Sequence, residues 1–295
     1  MAGTSSRRRV HVVTDSTASL PAGVAEGLDG FEVVPLHVVV DDESFLESVE
    51  IGPDDVARHL VDGRHVSTSQ PAPEAFADAY ARAADTGARE VVSVHLSGDL
   101  SGTVHAAALA ASRAAVPVRV VDSRTVAMGL GFAATAAATA AGTGADADAV
   151  ARRALAVADS SRAIFCVDSL EHLRRGGRIS AAAATLGTVL GVRPLLAVRD
   201  GRIEVIQKVR TRAAAVERMT TVAVESAARR ALPALAVHHA GDAEGADRLA
   251  DELAARSGLE ITVSPVSAVL GAHVGPGVLA VVVADLAGPL ADRAD

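Results

Sequence analysis

Four clusters of small and polar residues have the types and spacing to do chemistry, and each falls where an apolar run gives way to a loop. Ser67-Thr68-Ser69-Gln70-Pro71 precedes a helical pattern that begins at Pro73. Hydroxyls and free backbone N–H groups at a helix start suit an anionic group, and they suit plain N-capping equally. Ser97-Gly98-Asp99-Leu100-Ser101-Gly102-Thr103 joins a strand run to a helical run; its small residues admit a ligand to the backbone or simply make a turn. LEHLRRGGRI, residues 170–179, sets Arg174, Arg175 and Arg178 around a glycine pair. That pattern fits an anion or a partner's acidic patch, and it also fits an ordinary helix end with Arg before Gly. GAHVGPG, residues 271–277, places His273 among minimal side chains before an apolar segment, which leaves its ring access to a cavity.

Other chemistries find less support. GxxxxGK[ST] and GxGxxG are both absent, so neither a P-loop nor a dinucleotide turn is expected. The histidines lack HExxH or HxxxH spacing, and His238-His239 would face opposite sides of a strand. With Cys166 as the one cysteine, no metal site and no intrachain disulfide framework are expected, and a reducing cytoplasm suits the chain. A serine hydrolase or acyltransferase is the sharper rival: Ser101 or Ser97 as nucleophile, His273 as base, Asp122 to orient it. GxSxG is missing, however. A net charge of −8 and 2% aromatic residues argue against a nucleic-acid partner, which needs basic surface or stacking rings. The most apolar tract, 132–141, falls short of the about 20 residues a membrane span requires. Residues 1–9 read as a polar leader and 291–295 as a frayed tail.

These clusters must be positioned by an alternation of short β-branched runs and Ala-rich helical patterns. The fold class is α/β, with two α/β domains, the first built on a mainly parallel sheet flanked by helices. A chain of 295 residues exceeds one compact core, and the boundary is placed near Ser160, giving domains at 8–160 and 161–287. Strands are expected at 9–14, 31–40, 90–96, 118–121, 162–167, 235–239 and 261–266. Asp200-Gly201 between two β-like runs predicts a hairpin. Helices are expected after Ser19-Leu20-Pro21, then at 54–61, 73–86, 102–113, 125–141, 146–159, 170–175, 180–190, 211–230 and 242–257, with a last one from Pro276.

Taken in order, the clusters resemble the DegV family of bacterial fatty-acid-binding proteins, over nearly the whole chain. Val13-Thr14-Asp15-Ser16-Thr17-Ala18-Ser19-Leu20-Pro21 is similar to the family's opening DS and LP signature. Thr68-Ser69-Gln70-Pro71 resembles TSQP, and Leu100-Ser101-Gly102-Thr103 resembles LSGT. Asp122-Ser123 follows a strand as the family's DS does, 170–179 resembles LEYLxxGGRI, and 273–277 resembles HxGPG. Departures are His172 for Tyr, Arg174-Arg175 for a Lys-rich pair, Gly98-Asp99 for Ser and a basic residue, and Arg193-Pro194 for Lys-Pro.

The resemblance implies a long-chain fatty acid held in a tunnel between two domains. Its carboxylate would meet Thr68 and either Ser97 or Ser101, with Ser69, Gly102, Thr103, Asp122, Ser123 and Gly275 as further ligand-binding residues. His273 would complete the hydrogen-bond network. Arg178 and Arg210 would lie near the exit, with Arg174 and Arg175 as further head-group or partner contacts. It further implies a non-catalytic carrier that uses no cofactor and presents the acid to a fatty acid kinase for acyl phosphate formation and lipid synthesis, with transient membrane contact allowed.

Overall fold

The computed structural model describes residues 10–179 and 193–287. The expected leader, tail and helix at 180–190 lie outside them. Strands β1 (Val10–Asp15), β2 (Phe31–Val34), β6 (Glu90–His95) and β7 (Val118–Asp122) form an all-parallel sheet in the order β2-β1-β6-β7. Its central strands are buried on both faces, as a parallel sheet covered on both sides requires. Helices α2 (Pro73–Asp85) and α3 (Thr103–Ala111) cover one face, burying Phe76, Tyr80 and Ala107 with Val13 and Val91. Beside them, β3 (His37–Val40), β4 (Glu43–Leu46) and β5 (Val66–Thr68) make a small antiparallel sheet, and α1 (Pro53–Val61) leads into β5.

The opposite face carries α4 (Met128–Gly142) and α5 (Ala147–Ser160). α4 is apolar over most of its circumference because it is buried between two sheets, with Thr139 exposed. Leu130, Ala137 and Ala138 pack on the parallel sheet, whereas Met128, Phe132 and Ala133 pack on a second sheet. That second sheet has the order β10-β9-β8-β13-β11-β12, formed by β8 (Arg162–Cys166), β9 (Arg193–Arg199), β10 (Arg202–Val209), β11 (Pro233–His239), β12 (Ile261–Pro265) and β13 (Leu279–Asp285). Its pairings are antiparallel except β11 with β12. Its outer face is covered by α7 (Arg212–Ala227) and α8 (Ala243–Ser257). Two short helices, α6 (Glu171–Arg175) and α9 (Ala268–Val274), complete the described elements. No helix among the described residues is long and apolar enough to cross a membrane.

Several expectations need correction. No α-helix follows Ser19; Ser16–Ala18 form a single 3-10 turn that ends at Ser19 in the left-handed region, φ 50°. The 31–40 run divides into β2 and β3, in different sheets, at Pro35, which lacks the N–H a continuous strand would donate. α4 begins at Met128 rather than Thr125, after left-handed Arg124 and Ala127. The helix expected from Pro276 is instead β13, a central strand, and His273 sits in the last turn of α9 rather than ahead of a helix. The Asp200-Gly201 hairpin forms as read, with positive φ at both residues, the geometry an Asp-Gly turn adopts.

Candidate functional site

α9 packs against α1, β3 and β5, so the last helical turn before Gly275 brings His273 onto the end of β5. There His273 Nε2 and Thr68 Oγ1 are 2.8 Å apart, joining residues 205 positions apart in the chain. Ser69, Gln70, Ser101 and Arg178 share the same pocket, with Leu36, Leu96, Leu100 and Val126 as its apolar wall. Arg178 Nε donates to the Leu100 carbonyl at 2.9 Å, which draws the GGRI segment against the loop that carries Ser101. Gly176 makes the approach feasible: a Cβ there would lie 2.3 Å from His273 Nδ1.

Behind this polar pocket lies a chamber whose exposed surface is entirely apolar. Leu100, Val126, Leu270 and His273 line both spaces, so the two adjoin across these side chains. The six-stranded sheet supplies one wall through Phe165, Ala280 and Val282, and Leu173 and Ile203 extend it.

The electrostatics favour an anion at the polar end. Burial, and then the positive charge of Arg178, push the His273 imidazole down to about 4. The ring is therefore neutral at neutral pH. Burial also lowers the pKa of Arg178, although a guanidinium stays protonated. A guanidinium, hydroxyls and an imidazole N–H are together able to satisfy a carboxylate, whose burial without donors would be costly.

The other sequence-derived candidates have different surroundings. Ser97 is fully buried and donates to the Gly201 carbonyl at 2.7 Å, tying its loop to the β9–β10 hairpin. Ser101 and Thr103 share a 2.8 Å hydroxyl contact, and Gly102 lies against Gln70. Asp122 accepts from the Gly98 N–H at 3.2 Å and the Arg124 N–H at 2.9 Å. Ser123 is buried in the following turn, where its hydroxyl accepts from the Thr125 N–H. Gly275, φ 78°, ends α9 against the His172 ring. Arg174 and Arg175 both pair with Glu171, at 2.6 and 2.8 Å, holding that carboxyl down to about 2. Arg210 is exposed between β10 and α7.

A hydrolase constellation is not assembled from the candidates: among the described residues no hydrogen bond joins Ser101 to His273, and Asp122 orients a turn rather than the imidazole. A Ser–His–Asp sequence of contacts does occur elsewhere. His95 meets Ser93 at 2.7 Å and Asp15 at 3.0 Å, but all three are fully buried and the Tyr80 hydroxyl donates to Ser93. Sequence reasoning missed Glu47, which is buried and accepts from the Val269 N–H at the start of α9. A lone Glu after a short strand carries no local signal of that role.

The fold and site together define an α/β protein in which a pocket with polar donors adjoins an apolar chamber walled by a six-stranded sheet. The family model described as "Uncharacterised protein, DegV family" matches residues 9–286, and the chain belongs to this family. It is 48% identical over 278 residues to a DegV domain-containing protein of Streptomyces coelicolor, covering 94% of this chain and 98% of the relative. A DegV domain-containing protein of Mycobacterium tuberculosis is 42% identical over 280 residues, covering 93% and 96%. Among solved structures, a DegV family protein from Thermus thermophilus described for its fatty acid binding superposes with a TM-score of 0.87 at 34% identity, covering 94% of this chain and 99% of the other. DegV from Bacillus subtilis, described as a fatty acid binding protein, gives 0.86 at 32% identity with the same coverage.

Proposed function

We propose that this chain is a cytoplasmic carrier that binds a long-chain fatty acid and presents its carboxylate to a fatty acid kinase. The product would be an acyl phosphate for lipid synthesis, and the carrier would do no chemistry of its own. Thr68, Ser101, Arg178 and His273 hold the carboxylate, and the apolar chamber takes the tail. Ser101 is preferred to Ser97 because it lines the pocket while Ser97 is engaged with Gly201.

The observation that carries this reading is the adjacency of the Thr68–His273 donor pair to a chamber lined almost entirely by apolar side chains. Such a site suits an anionic head beside an apolar tail; the chamber measures about 60 Å³ here, so a long chain must part the side chains that line it. Each buried methylene contributes about 0.8 kcal/mol, so a 16-carbon chain has roughly 10 kcal/mol of gross driving force before ordering costs. The fatty-acid-binding relatives in Thermus thermophilus and Bacillus subtilis support the same ligand class.

Native mass spectrometry of protein purified from bacteria tests the ligand. About one long-chain acid per chain should be released by denaturing solvent without hydrolysis. Protein that stays apo and takes up no added fatty acid would refute the reading. A kinase-coupled assay tests the presentation step: His273→Ala should lower acyl phosphate formation more than it lowers affinity, because the other donors still anchor the head group. Kinase-free ester turnover abolished by both Ser101→Ala and His273→Ala would make the protein an enzyme instead.

A further inference from the structure

A second polar recess lies away from the fatty-acid pocket, between the end of α5, the start of β8, the end of β9 and the region just beyond α7. Its charged residues are Arg124, Arg162, Arg199 and Arg230 against Asp159 and Asp200. That is a local excess of two positive charges in a chain whose net charge is −8.

The two carboxylates offset the cations only in part. Asp200 is 97% exposed and its carboxylate makes one long contact with Arg124, at 3.9 Å, while the same guanidinium nitrogen donates to the Asp200 carbonyl at 2.7 Å. Among the described residues, Asp159, Arg162 and Arg199 form no ion pair. Arg230 is held in place: one terminal nitrogen donates to the Ser226 carbonyl and hydroxyl, each at 2.6 Å, and the other donates to the Ser160 carbonyl. Its Nε is buried and has no hydrogen-bond partner. Burial lowers the pKa of both Arg162 and Arg230, and like charges add to it: Arg199, Arg229 and Arg218 around Arg162, Arg162 and Arg229 around Arg230, with Asp285 opposing at Arg230. Half-buried cations that repel one another are an unfavourable arrangement unless an anion enters between them.

The remaining wall is rich in hydroxyls, including Ser123, Ser161 and Ser226. Planar guanidinium forks chelate tetrahedral oxyanions through two parallel N–H···O bonds, and a surplus of two charges matches a dianion better than a single carboxylate. We propose that this recess is a binding site for the phosphomonoester or pyrophosphate group of a soluble phosphorylated ligand. The site includes none of Thr68, Ser101, Arg178 and His273, so it stands or falls independently of the carrier reading.

The test is equilibrium dialysis of the full chain with labelled pyrophosphate and, separately, inorganic phosphate. Saturable binding should be seen in the millimolar range or below. Arg199→Gln and Arg162→Gln should each weaken it about tenfold, as loss of a charge-assisted hydrogen bond implies. Arg82→Gln, which removes an equal charge far from the recess, should leave it unchanged, and fatty-acid affinity should be the same in all three. Circular dichroism and urea unfolding identify a variant that fails to fold, and Arg199, being exposed, gives the informative substitution in that event. No saturable binding overturns the proposal, as does equal weakening by Arg82→Gln or none by Arg199→Gln. Binding to phosphatidylglycerol vesicles without binding of either soluble anion also overturns it, because the recess would then be part of a membrane-contacting surface.

Discussion

Acidification should destabilise this protein through His238, by an amount that its surroundings set. His238 is fully buried on β11, and its Nε2 accepts the Met128 N–H at 3.2 Å. The proton therefore resides on Nδ1, which donates to the Ser264 carbonyl at 3.2 Å. Protonating Nε2 would turn that acceptor into a donor facing another donor. Burial first, and then the neighbouring His239, push the imidazole from 6.5 down to about 4, against the opposing pull of the Ser264 carbonyl. The folded state thus holds His238 neutral while the unfolded chain takes up a proton near pH 6.5. Its contribution to stability is complete above that pH and is lost as pH falls towards 4. At about pH 5 the unfolded group has been protonated through roughly 1.5 pH units that the folded group resists, which amounts to about 2 kcal/mol. Urea unfolding of the wild type and His238→Gln at about pH 7 and about pH 5 measures this directly. The variant should lose about 2 kcal/mol less than the wild type between the two conditions, whatever it loses at neutral pH. An equal acid-induced loss in both proteins would refute the assignment. His273, also drawn down to about 4, acts with the same sign but cancels in the comparison.

Two further predictions concern the fatty-acid pocket. Thr68→Val is nearly isosteric and should leave the fold intact while weakening fatty-acid binding by about 1–3 kcal/mol, or roughly 5- to 150-fold in Kd; displacement of a fluorescent fatty acid reads this, and unchanged affinity with an early melt would make Thr68 only a structural contact. Ser101→Ala should weaken binding in the same assay, whereas Ser97→Ala should leave affinity unchanged and cost about 1 kcal/mol of stability through the lost bond to Gly201; the reverse pattern would exchange the roles of the two serines.

What could be read from the sequence was largely local. The alternation of strand and helix runs, the Asp200-Gly201 hairpin and the helix starts at 146, 211 and 242 follow from residue type and short-range pattern, and all are present; the structure adds that Asp146, Thr211 and Asp242 cap those helices. β3, β4 and β5 were hard to see because each is only three or four residues long and is stabilised by partners distant in sequence. β13 is apolar on both faces, so it lacks the period-2 alternation that separates a strand from a buried helix. The site shows the same division. TSQP, LSGT, GGRI and the His273 segment can each be located as clusters, but nothing in their spacing states that Thr68 meets His273. Only the packing of α9 on β5 establishes that contact.

The opening Thr14–Ser19 segment illustrates how a sequence signature can serve a site without lining its polar pocket. Ser16 accepts from the Leu36 N–H at 3.1 Å and donates to the Glu47 carboxylate. The other Glu47 oxygen accepts from the Val269 N–H at 3.1 Å, while Ser19 accepts from the Ser267 N–H at 2.9 Å. These groups supply partners for backbone donors at the start of α9, which helical bonding would otherwise leave unmet. A carboxylate at that end also meets the positive pole of the helix, although burial pushes the Glu47 pKa up. α9 has only seven residues, about 10 Å of rise, too few to be stable alone in water. Its position therefore depends on what grips each end. The N-terminal end is gripped by Ser16, Ser19 and Glu47, and the C-terminal end presents His273 to Thr68. A change that releases Glu47 would thus reach the carboxylate pocket through the displacement of one short rigid element, with no direct contact between Glu47 and the ligand.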